Sequence, residues 1–116
     1  MNILTAKYSS ITPKQVDELK NKVCRQIFFL LLLVDPKTKD KYTHVDVEEA
    51  IENLLYELNG MNEILQHPLN IIVAMSYLES ALSEYRKNEQ LNFARYRKLV
   101  LDAGARIKEV ELDANS

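Results

Sequence analysis

Chemistry in this 116-residue chain would have to be assembled from two histidines, one cysteine and scattered carboxylates. Nucleophilic or acid–base catalysis needs such groups to converge. His44 and His67 bracket one predicted helix, which holds them about 30 Å apart at 1.5 Å per residue. They therefore cannot serve one site within a monomer. They read instead as a helix-start residue and as a turn residue before Pro68. Cys24 follows Val23 on an amphipathic stretch and reads as a small buried hydrophobe. Alone, it can form no intrachain disulfide, which favours a reducing, cytoplasmic setting.

Metal chemistry fails on spacing. The segment Asp35 to Asp46 has the length and the helical flanks of a calcium loop. However, Lys37 and Lys39 stand at its third and fifth ligand positions, and no glycine stands at the sixth. Glu48, Glu49 and Glu52 suggest a di-metal bundle, but such sites pair inward-facing glutamates with a Glu-x-x-His motif. No glutamate here has a histidine three residues on. With only two glycines, Gly-rich phosphate loops are excluded too. The expectation is a protein without metal or cofactor and without enzymatic activity.

Charge is the more informative pattern. From Val45 to Glu84 there is no lysine or arginine, yet the segment holds eight acids: Asp46, Glu48, Glu49, Glu52, Glu57, Glu63, Glu79 and Glu84. The chain before His44 sums to +4 and the chain after Tyr85 to +2, so the net charge of −2 conceals a strong segregation. No cation lies one helical turn from Glu48, Glu49, Glu52 or Glu57, and like charges at that spacing repel by a few tenths of a kcal/mol. Relief must come from flanking helices or from a basic partner. Asp46, Glu48, Glu49, Glu52 and Glu57 are therefore the candidate partner-binding residues.

The other charged region is basic and interleaved with aromatics. Arg86, Lys87, Arg95, Arg97, Lys98, Arg106 and Lys108 lie near Tyr85, Phe93 and Tyr96, a pattern found in nucleic-acid binders. Against it, Lys98–Asp102 and Asp102–Arg106 are spaced i,i+4 and Arg106–Glu109 i,i+3, so the face partly neutralises itself. Phe93 and Tyr96 also fall on an apolar stripe. Were nucleic acid bound, Arg95, Arg97 and Lys98, with the loop lysines Lys37, Lys39 and Lys41, would make the phosphate contacts.

Hydrophobic spacing supplies the elements that carry these residues. Thr12 as N-cap and Pro13 at the first position open a helix over 13–34. Its stripe is Val16, Leu19, Val23, Ile27, Leu30 and Val34, and Asp35-Pro36 ends it. The run Ile27 to Val34 is apolar all round, but eight residues fall far short of the roughly 20 that span a bilayer. It reads as a segment buried within the bundle or at an interface. A second helix over 45–66, capped near Thr43 or His44, carries Val47, Ile51, Leu54, Leu58, Met61 and Leu65. That stripe keeps its phase through Gly60, which predicts one continuous helix with a weak point there, two short helices being the alternative.

The third helix, 69–87, places Ile71, Met75, Leu78, Leu82 and Tyr85 on a stripe that Ile72, Ala74 and Ala81 widen. A fourth, 89–111 with Asn88 as cap, carries Phe93, Tyr96, Val100, Ala103, Ile107 and Val110. Gly104 beside that stripe could admit a close crossing. Near-heptad stripes favour crossing angles of about 20°. The reading is a single all-α domain, a four-helix antiparallel up-down bundle. Residues 1–12 form an extended arm that lies across this bundle or a neighbour, and 112–116 form a frayed tail. The function that fits is a helical protein-protein interaction module without enzymatic activity. It would self-associate, or serve as a subunit, inhibitor or adaptor of a larger assembly, docking through the acidic helix. The alternative is a nucleic-acid-associated subunit using the basic last helix and the 37–41 loop.

Overall fold

The computed structural model describes residues 4–5, 10–87 and 90–110. Four α-helices run over Pro13–Val34 (α1), Val47–Ile64 (α2), Leu69–Tyr85 (α3) and Phe93–Lys108 (α4). Ahead of them Leu4–Thr5 (β1) pairs antiparallel with Ser10–Ile11 (β2). The helices pack in a ring, α1 on α2 and α4, α3 on α2 and α4. Tyr96, near the start of α4, bonds Leu30, near the end of α1. Arg86, just after α3, reaches Glu48 and Glu52 at the start of α2. Neighbours are therefore antiparallel, and the result is an up-down bundle of 49 × 22 × 20 Å.

Three of the four helices, α1, α2 and α4, start where a side chain satisfies an open N–H group, whereas α3 follows Pro68 without a side-chain cap. Thr12 Oγ1 accepts from the Gln15 amide at 3.2 Å while Gln15 Oε1 accepts from the Thr12 amide at 2.9 Å, a reciprocal capping box. The α2 cap is Asp46, whose carboxylate accepts from the Glu49 amide at 3.2 Å. The helix thus begins later than the expected Thr43 or His44. A short 3₁₀ turn, Lys39–Tyr42, occupies the preceding link, and the Thr38 hydroxyl donates to the open Leu32 carbonyl of α1 at 2.7 Å. Phe29 meets Tyr42 edge to face at 5.1 Å and docks this link on α1.

Gly60 lies inside α2, which is continuous as its stripe required. The helix ends at Ile64 because Gln66 and His67 both take positive φ, 62° and 63°. There the His67 amide donates to the Asn62 carbonyl at 2.8 Å. At the other end of the bundle α4 begins at Phe93, not at residue 89. Asn92 is its cap and accepts from the Arg95 amide at 3.2 Å; the expected cap, Asn88, lies outside the described residues, as does the 112–116 tail.

The core is one cluster drawn from all four helices. Ile51, Leu58, Ile71, Leu78, Val100 and Ile107 are wholly buried, and Leu19 in the α1 stripe and Leu65 at the end of the α2 stripe are partly so. Tyr96 is buried as well, its hydroxyl donating to the Leu30 carbonyl at 2.9 Å; burial pushes that hydroxyl's pKa far up. Two expectations need correction. Phe28, within the run expected to be buried all round, is 58% exposed, and Ile72 is exposed rather than widening the core stripe of α3. In a ring of four helices each helix keeps an outer face, so a segment apolar on every side must show some of it to solvent.

Candidate interaction surfaces

The candidate acids of α2 divide into three groups. Asp46 is committed to its capping bond. Glu48 and Glu52 share the Arg86 guanidinium, with Nε 3.3 Å from Glu48 Oε2 and Nη2 3.0 Å from Glu52 Oε1. Relief for these two thus comes from within the bundle, although such half-exposed pairs are worth at most about 1 kcal/mol. Glu49 and Glu57 form no ion pair among the described residues. Both are exposed, and Glu57 borders a groove between α1 and α2 of about 350 Å³ that also carries Lys22 and Arg25.

Between these two acids stands Tyr56, 81% exposed. Helical spacing places Glu49, Asn53, Tyr56 and Gly60 along the outward side of α2. Tyr56 escaped sequence reasoning because it lies off the apolar stripe. Its spacing from Glu49 was the available signal. The surface is a ridge, acidic at its edges and aromatic at its centre. Exposed tyrosines of this kind are enriched where proteins meet.

The basic candidates are largely engaged elsewhere. Arg95 Nε lies 3.4 Å from Glu84 Oε2, and Lys98 Nζ lies 3.0 Å from Asp102. Arg106 reaches Asn70 Oδ1 at 3.2 Å and Glu109 at 4.0 Å, rather than the expected Asp102. Of the three candidates on α4, only Arg97 is without an ion pair among the described residues. Lys37, Lys39 and Lys41 are exposed and likewise unpaired there. Lys39 borders a broad open cleft of about 770 Å³ with Leu33, Tyr85, Lys87 and Leu91.

Glu84 accounts for much of this arrangement. Although only 3% exposed, its carboxylate accepts from Lys87 Nζ at 3.0 Å and from the Asn92 amide at 3.1 Å, with Arg95 beyond. The Lys87 hydrogen bond first, then that from Asn92, holds its carboxyl below the ordinary range. One buried acid thereby closes the α3–α4 turn and takes up one candidate phosphate-binding arginine.

Among the described residues no three histidine, cysteine or acidic side chains come together in a way that could hold a metal ion. His67 Nδ1 sits 3.2 Å from Asn62 Nδ2 and its Nε2 3.7 Å from Glu63, a local turn network. Cys24 points at the Gly104 carbonyl, 4.0 Å away, and burial raises its pKa. A thiol so placed is a weak nucleophile. Among the described residues no helix is long and apolar enough to cross a membrane. No protein-family model, curated protein or solved structure matches this chain.

Proposed function

We propose that this protein is a non-enzymatic interaction module that docks on a protein partner through the outward ridge of α2. The observation that carries the reading is Tyr56, 81% exposed between Glu49 and Glu57, two carboxylates with no ion-pair partner among the described residues. Burying the ring against a partner supplies apolar area, while the acids select a cationic surface and steer its approach. Glu48 and Glu52, held by Arg86, keep the base of the ridge fixed. The engagement of Arg95 and Lys98 within the bundle favours this face over the basic one.

The test is charge reversal where the fold does not depend on the charge. Glu49→Lys with Glu57→Lys should leave the melting temperature within about 2 °C, as expected for exposed positions. The same change should weaken partner binding tenfold or more in a salt-sensitive manner. A partner bound equally by wild type and by this variant would remove the α2 ridge as the docking face.

A further inference from the structure

A second surface is the reverse of the α2 ridge in both shape and charge. Between α1 and α4 runs a groove of about 200 Å³ lined by Phe28, Leu101, Gly104, Ala105 and Cys24, with Lys108 at its rim. Phe28 is 58% and Leu101 40% exposed, so an aromatic and an aliphatic side chain of the same groove are both open to solvent. Two cations lie close by: Lys108 and Lys20 are near enough to Cys24 to lower its pKa against the larger effect of burial. Arg97 lies one turn before Leu101 on the same side of α4 by helical spacing. No carboxylate lines the groove.

We infer that this groove receives the α2 ridge of a second copy of the chain, Tyr56 entering beside Phe28 and Leu101 while Glu49 and Glu57 meet Arg97, Lys20 and Lys108. The inference rests on the reading of α2 as the docking face and adds the identity of the partner. Spacing supports the match. Leu101 lies between Arg97 and Lys108, about 16 Å apart along α4, and Tyr56 between Glu49 and Glu57, about 12 Å apart along α2. Long basic side chains span the difference. At Gly104, which lines the groove, a Cβ would meet only Ile27 Cγ2, at an ordinary contact distance of 3.6 Å. Ridge and groove lie on different sides of the bundle, so the contact is head-to-tail. Contacts of that kind close into rings or extend as chains.

Sedimentation equilibrium of the full chain over a range of concentrations tests this. Wild type should gain mass as concentration rises. Tyr56→Ala with Glu57→Lys, and separately Phe28→Ser with Leu101→Ser, should each shift the association midpoint tenfold or more. An equimolar mixture of the two double variants should form a heterodimer that grows no further, because each supplies the surface the other lacks. As a second check, the charge-only pair Glu49→Lys with Glu57→Lys should dissociate the wild-type assembly. Adding Lys20→Glu with Lys108→Glu should restore it. A mixture that stays monomeric, or association unmoved by either double variant, would overturn the inference.

The two readings fail in different ways. Suppose wild type is strictly monomeric up to high micromolar concentration yet binds an arginine-rich peptide that Glu49→Lys with Glu57→Lys abolishes. The α2 ridge then stands and the second copy is wrong. A monomer that binds no such peptide removes both.

Discussion

Glu84 shows how one residue can reorganise a surface that charge counting treats as uniform. In the sequence it is one acid among eight between Val45 and Glu84. In the structure it is buried and gathers Lys87, the Asn92 amide and Arg95 around a single carboxylate. These contacts favour its charged form, so the folded carboxyl titrates below the ordinary 4.5. Such a group adds stability that is present above its unfolded pKa and lost as pH falls through its folded pKa. Glu84→Gln should therefore lower the melting temperature at neutral pH. It should also flatten the decline of melting temperature below pH 4.5, as followed by circular dichroism. An unchanged acid profile would show that the latch contributes nothing.

At the scale of the element, Gly60 is the informative position. A Cβ built there meets nothing within 4 Å, and the glycine is exposed in the interior of α2 with ordinary helical geometry. Glycine costs about 1 kcal/mol relative to alanine in such a place. Gly60→Ala should stabilise the protein by about that amount, raising the melting temperature by a few degrees. A loss of stability would mean that α2 needs to bend there. The helix ends show where reading along the chain is weakest. Asp46 and Asn92 cap α2 and α4, whereas Thr43 or His44 and Asn88 were the expected caps. Links rich in Thr, Asp and Asn offer several caps, and the one used depends on how far the 3₁₀ turn and the Glu84 latch draw the chain before the helix can begin.

For the whole molecule, the contest lies between an acidic ridge and a basic end. With Arg95 and Lys98 engaged by Glu84 and Asp102, the cations left unpaired among the described residues include Arg97 and the lysines of the 37–41 loop. Short DNA or RNA should bind weakly, and Arg97→Ala should change fluorescence polarisation by no more than about threefold, close to the loss of one phosphate contact. Tight binding that weakens steeply with salt and vanishes on replacing Arg95, Arg97 and Lys98 together would favour nucleic acid over the α2 ridge.

Sequence alone determined the all-α architecture, the register of four stripes and the Thr12-Pro13 start, and favoured the continuity of α2 through Gly60 that the structure shows. Each follows from local periodicity or from a cap adjacent in the chain. Val16, Ile51, Leu78 and Ile107 are buried because a 3.6-residue repeat leaves them on the inward side whatever the neighbours are. Only the tertiary structure decided which charges are spent and which are free. Arg86 meets Glu48 and Glu52 from nearly forty residues away in the chain, and Arg95 meets Glu84 across a turn. It also decided that Phe28, Leu101 and Tyr56 face outward. Burial of a side chain off the main stripe depends on whether another helix lies over it, and that is a property of the ring rather than of any one segment.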